Sequence, residues 1–178
     1  MSVIKVDQIQ GSTGTTVTIP SGTTIVNSGT ATNFGEAAST GTWTPIFVSS
    51  SATFSYSTQV GTYFKIGVFV HCLFRLALSG SPGGTTSNAL SIGGLPFNTA
   101  AVTNGYFGGH IGHFFNINLP FLNVSNGPVD LCYQINAAEA GTVELKVTGD
   151  STAETTLLPS NLESSTEIRG NIMYHAAS

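Results

Sequence analysis

Between Gly61 and Gly80 the chain reads GTYFKIGVFVHCLFRLALSG. From Phe64 onward every even position is apolar: Phe64, Ile66, Val68, Val70, Cys72, Phe74, Leu76 and Leu78. The odd positions hold Lys65, His71 and Arg75 among Tyr63, Gly67, Phe69, Leu73 and Ala77. Strict period two predicts an extended β ribbon with one face in a core, and Gly67 marks where it would fold into a hairpin.

Shorter alternating segments follow the same rule at 44–48, 53–57, 89–92, 106–111, 114–119, 129–135, 142–148 and 167–175. Turn chemistry separates them, in SGSPGG, SIGG, TNG, SNG and TGDST. Prolines fall mostly at the proposed strand ends, where a missing N–H costs least. AAEAG and PSNLES each suit one helical turn, and no segment keeps a helical period beyond about three turns. The reading is all-β, an antiparallel β-sandwich of jelly-roll type over residues 42–178.

Residues 1–35 differ. GTTV at 14–17 and GTTI at 22–25 recur, and Ile19, Ile25 and Ala31 head Gly-containing blocks of six. One apolar residue per block cannot close a core within one chain, so such repeats need neighbouring copies to wall them in. A flexible Ser/Thr/Gly linker is the competing reading. The regular placement of Val17, Ile19 and Ile25 favours an anchoring or intertwined β-repeat segment with those residues at a subunit interface. Residues 36–41 read as a linker.

Composition sharpens this picture. Only 8 % of the 178 residues are charged while 40 % are hydrophobic. An ordinary soluble protein carries roughly 25 % charge. Solubility must rest on Ser, Thr, Asn and Gly, and the apolar content argues against disorder. A net charge of −4 with five scattered Lys and Arg leaves no stripe for nucleic acid. No apolar run reaches the ~18 residues of a membrane span, and MSVIKVDQIQ lacks a signal-peptide pattern. The chain is expected to fold in a cytosol, with no membrane insertion and with Cys72 and Cys132 buried and reduced.

Chemistry is sparse. Among the acids only Asp130, within PVDLCYQI, reads as semi-buried; Glu144 shares the polar face of TVELKVT with Lys146; the others fall in loops, turns or strand starts. A glycan-cleaving enzyme needs two carboxylates at a set separation, and no pair stands out. His110 and His113 in GGHIGHFF are three apart, on opposite faces of a strand unless Gly112 bulges it. Without Cys or carboxylate companions they do not make a metal site. No nucleophile elbow or Cys/His/Asn pattern is present, and SPGGTT lacks the Lys of a phosphate loop. Tyr106 and Phe107, with further Phe at 114, 115 and 121, suit either packing or a sugar or protein surface. No cofactor, metal or catalytic residue is assigned.

GTWTPIF, FSYSTQVGTYFKIGVFVHCLFRLAL, LSIGGLPFNT and STEIRGNIMYHA together resemble a C-terminal β domain recurrent in tail fibres and adhesion proteins of tailed phages. The matching positions are Gly41, Trp43, Thr44 and Pro45, then Tyr56, Gln59, Gly61, Tyr63, Lys65, Ile66 and Gly67, then Ile92, Gly94, Leu95, Pro96 and Phe97. IKVDQIQGSTGTTVTIPSGTTI is similar to the start of fibre proteins from marine, particularly cyanobacterial, phages. Residues 98–165 lie outside the motifs.

The resemblance implies a trimer-forming tip, with Phe69, His71 and Leu73 facing a neighbouring subunit. It also implies a virion location, with residues 1–35 held by other virion proteins. The expected function is a non-enzymatic short tail fibre or spike contributing to attachment to a host surface glycan or protein. Tyr106, Phe107, His110 and His113, on apical loops, are the candidate contacts. Two alternatives stay open. One is a capsid decoration or head-fibre protein; the other is a polysaccharide-degrading enzyme, for which Asp130 and Glu139 are the acids to test.

Overall fold

The computed structural model describes residues 38–100, 107–119, 129–135, 141–149 and 152–177. The chain divides into residues 1–34 and 35–178, and every described strand belongs to the second unit. Val17, Ile19, Ile25, Tyr106 and Glu139 lie outside the described residues, as do the repeats of 1–35.

All the long elements are strands: β1 (Ala38–Trp43), β2 (Ile46–Val48), β3 (Ala52–Thr53), β4 (Tyr56–Ile66), β5 (Phe69–Leu78), β6 (Gly83–Gly84) and β7 (Ser91–Gly93). They continue as β8 (Phe107–His110), β9 (His113–Ile117), β10 (Val129–Ile135), β11 (Val143–Gly149), β12 (Thr152–Thr156) and β13 (Leu162–His175). A 3-10 turn, Pro159–Asn161, sits inside PSNLES. The first sheet runs β1-β4-β5-β13-β9 and the second β2-β7-β11-β10-β8. β12 takes the part of β11 that β7 leaves unpaired, and β3 with β6 forms a small ribbon. Every pairing is antiparallel. The two sheets share one core, so the chain is a β-sandwich and not a closed barrel. Val70, Cys72, Phe74, Leu76, Ile168 and Ile172 from the first sheet meet Leu131, Tyr133, Val143, Leu145 and Val147 from the second. Among the described residues no helix is long and apolar enough to cross a membrane.

The ribbon of 61–80 corrects one expectation. It is a hairpin whose two-residue turn, Gly67 and Val68, joins the paired Ile66 and Phe69, with Gly67 at φ 55°. Cross-strand partners share a face, and from Thr58 to Ile66 the partner numbers sum to 135, so the inward parity reverses at the turn. Inward positions are even in β5 but odd in β4, where Gly61, Tyr63 and Lys65 point in. Phe64, Ile66 and Val68, expected in the core, are 41, 42 and 49 % exposed.

A second difference lies at 38–41. These residues, read as linker, pair with Phe64 to Ile66 and Tyr63 as the edge strand of the first sheet. Their small side chains carry no apolar alternation, and backbone pairing alone recruits them. Two strands without alternation in the sequence, β6 and β12, are recruited by pairing in the same way.

Candidate functional surfaces

The outer face of the second sheet is polar. In β10 and β11, Leu131, Tyr133, Ile135, Val143, Leu145 and Val147 point in, leaving Asp130, Cys132, Gln134, Glu144, Lys146 and Thr148 outward. His110, paired with Cys132 across the β8–β10 ladder, donates from Nδ1 to Asp130 Oδ2 at 2.6 Å. Both side chains are exposed. Lys146 Nζ lies 2.9 Å from Glu144 Oε1 and 3.6 Å from Glu154 Oε1, and it donates to Thr156 Oγ1 at 2.9 Å. The Thr156 hydroxyl donates onward to Glu144 at 3.0 Å. A hollow of about 350 Å³ runs over this network, bordered by Gly108, His110, Gln134, Lys146 and Glu154.

Chemically, this hollow offers hydrogen-bond donors and acceptors suited to a hydroxyl-rich ligand, and little reactivity. Glu144 and Glu154 share the one Lys146 ammonium. The Cys132 thiol is half-buried, and burial followed by the Glu154 charge pushes its pKa up. It sits on the outer face, not in the core as the alternation suggested. Cys72 is fully buried, and burial raises its thiol to about 12. Asp130 is exposed and bonded to His110 rather than semi-buried. Among the described residues no cluster of three His, Cys, Asp or Glu could hold a metal.

The outer face of the first sheet is different. It carries Val60, Phe64, Ile66, Phe69, Leu73, Phe115 and Met173, each between 41 and 58 % exposed. Phe69, His71 and Leu73 do lie on it, opposite Ile66, Phe64 and Thr62 in β4. Met173 stands opposite His71, and Arg169 stands between Arg75 and His113. At that end Arg75 holds Glu167 at 2.9 and 3.1 Å, and Arg169 closes on the same carboxylate. The Arg75 hydrogen bonds, then those of Arg169, lower the Glu167 carboxyl to about 2.

His110 and His113 do not share a surface. Between them the chain leaves the second sheet and enters the first, with Ile111 buried and its N–H bonded to the Leu131 carbonyl at 2.9 Å. His110 faces out from one sheet and His113 from the other. Of the other candidate contacts, Phe107 contributes the first residue of β8. The SGSPGGTTSN loop folds back on 49–53 through the β3–β6 ribbon, and Asn88 Nδ2 donates to Ser50 O at 2.8 Å. Val60 and Met173 went unremarked in the sequence, and Phe115 reads there only as one of a cluster of aromatics suited to packing or to a sugar or protein surface. The signal that could have found the β4 part of the face was the hairpin at Gly67, which dictates the parity of β4 back to the register shift between Tyr56 and Thr58.

The motif residues prove to be architectural. The Trp43 indole covers Gly61, and Tyr63 covers Gly41, in cross-strand pairs on either side of Thr42 and Thr62. Gln59 Nε2 donates to Pro45 O at 3.0 Å, and the Tyr56 hydroxyl accepts from Phe47 N–H at 2.8 Å. Phe97 meets Tyr63 edge-on at 5.2 Å and lies under Lys65 Nζ at 5.3 Å. Gly94, at φ 75°, lies against the Thr44 carbonyl, with no room there for a side chain. The motifs therefore encode the closure of the sandwich, not a ligand site.

Comparisons with known proteins agree at the level of fold. No family model matches the sequence, and no curated protein matches it significantly. Among solved structures, the chain is similar to the Dettilon tailspike protein, with a TM-score of 0.56 and 17 % identity. The match covers 75 % of this chain and 23 % of that one, so the chain spans about a quarter of the tailspike's length.

Proposed function

We propose that this protein is a non-enzymatic structural component of a phage virion, a short tail fibre or spike that contributes to host-surface attachment. The observation that carries this reading is the match of the sandwich to a tailspike over most of the chain. The protein works as a homotrimer, and residues 1–35 anchor it to other virion proteins. Tyr106, Phe107, His110 and His113 contribute contacts to a host glycan or protein. Because His110 and His113 face opposite ways, they serve different contacts, and the polar hollow beside His110 is the better glycan platform. The non-enzymatic reading is supported by the shared ammonium between Glu144 and Glu154 and by the shielded thiols.

The test is copy number per purified virion, by quantitative peptide mass spectrometry against the major capsid protein. A handful to a few tens of chains, in a multiple of three, is expected for a tail position. Hundreds would make it a decoration protein of the shell. Absence from the particle would overturn the virion reading.

A further inference from the structure

We propose that copies of this chain meet through the outer face of the β1-β4-β5-β13-β9 sheet, a surface extending across β4, β5, β13 and β9. This contact rests on the homotrimeric reading of the protein and gives it a location.

Area is the first argument. Three of the seven side chains are phenylalanines, at ~150–250 Å² each when fully exposed, and the other four are smaller, so the seven at about half exposure leave on the order of 500 Å² of apolar surface. A typical monomer's largest patch is ~300–600 Å², whereas a stable interface takes ~800 Å² per partner, little more than half of it apolar. The face is of interface size. The opposite sheet supplies an internal control: built by the same alternation, it turns Asp130, Gln134, Glu144, Lys146 and Thr148 outward. A chain that covers one sheet with polar groups and leaves apolar groups on the other has a partner for the second.

Charge selects the partner. The acid and base groups on this face are Arg75 and Arg169, both bound to Glu167 and together carrying one positive charge more than it offsets, with His113 next to Arg169 and with His71 and His175 farther along the face. One uncompensated guanidinium makes no cationic row for a polyanion, and one carboxylate makes no acidic row for a basic protein. A second copy, equally apolar, matches the apolar positions and leaves the arginine cluster toward one end of the face, away from Ile66, Phe69 and Met173. A depression of about 320 Å³ bordered by Val60, Leu73, Arg75 and Arg169 gives a neighbour's side chain a seat.

The experiment is solution mass by light scattering on the full chain and on Leu73→Glu, Met173→Glu and, as a control on the polar sheet, Thr148→Glu. The wild type and T148E are expected at three times the 18.4 kDa chain mass. L73E and M173E are expected to fall threefold toward it with unchanged circular dichroism. A multimeric wild type whose mass both face variants retain overturns this contact and leaves the multimeric reading standing. A wild type at 18.4 kDa overturns both, as would occur if residues 1–37 cover the face. If the variants misfold, peroxide oxidation of the wild type decides. Met173 in the assembled protein should oxidise at least tenfold more slowly than free methionine, and oxidation at the free rate sinks the proposal.

Discussion

Trp43 and Gly61 are partners across the β1–β4 ladder, and the indole occupies the space that a side chain at 61 would need. A Cβ there would sit 2.6 Å from Cδ1 and Cε2 of the ring. The indole N–H reaches past it to the carbonyls of Thr62 and Leu73, each at 3.2 Å. The same device recurs at Tyr63 over Gly41, Tyr133 over Gly109 and, less tightly, Phe74 over Gly170, each a cross-strand pair. A ring lying over a glycine shields backbone that would otherwise be bare and fixes the register of two strands at once.

Gly61→Ala should therefore displace the indole and break its hydrogen bonds, costing roughly 2–4 kcal/mol. Trp43 is the single tryptophan, so its fluorescence in a urea titration reads the change directly. A shift below ~0.5 kcal/mol would mean that the ring is not held as described.

Thr166 is fully buried where the β9–β13 pairing slips. Its hydroxyl donates to Asn116 O at 2.5 Å and accepts from Glu163 N–H at 2.8 Å, and Asn116 has φ 52°. Thr166→Val keeps the shape and strands two backbone groups, so a loss of about 1–3 kcal/mol is expected. Thr166→Ser should recover most of it. Equal melting of the Val and Ser variants would show that the hydroxyl does not hold the slip.

Glu167 provides a pH signature. Its carboxyl lies at about 2 in the folded chain against 4.5 as the ordinary value. A depressed carboxyl contributes stability that is fully present above 4.5 and lost as the pH falls through 2. Arg75 and Arg169 are each about half exposed, so solvent and salt weaken the contribution. Urea midpoints followed from pH 5 to pH 2 should fall less steeply for Glu167→Gln than for wild type, and 1 M salt should narrow the gap. Parallel curves at low salt would remove the ion cluster from the stability of the sheet.

The thiols should report burial. With the Cys72 thiol near 12, almost no thiolate exists at pH 8. An aromatic disulfide reagent should leave Cys72 untouched in the native protein, label half-buried Cys132 slowly, and label both at once in denaturant. Rapid native labelling of Cys72 would mean that the core opens at β5.

Much of the architecture was legible along the chain because β alternation is local. Val129 to Ile135 and the apolar half of β5 declare a two-sided strand with no help from neighbours, and the turns between them declare themselves by Gly, Pro and Asn. The short edge pairings were not legible. Ala38, Gly83 and Thr152 head strands whose side chains carry no signal, since a backbone ladder supplied by a partner strand organises them. The candidate contacts divide likewise. His71 and Leu73 could be placed outward from β5 alone, and period two already set His110 and His113 on opposite faces, but that they belong to different sheets needed the crossing at Ile111.

The amino-acid sequence by itself determined an all-β chain and its main strands, because each depends on period two and turn chemistry within a few residues. Only the tertiary structure decided which side of β4 is inside and which ring covers which glycine across the strands. The hairpin at Gly67 reverses the parity between β4 and β5, so alternating residues that read alike divide into a buried core and an apolar outer face.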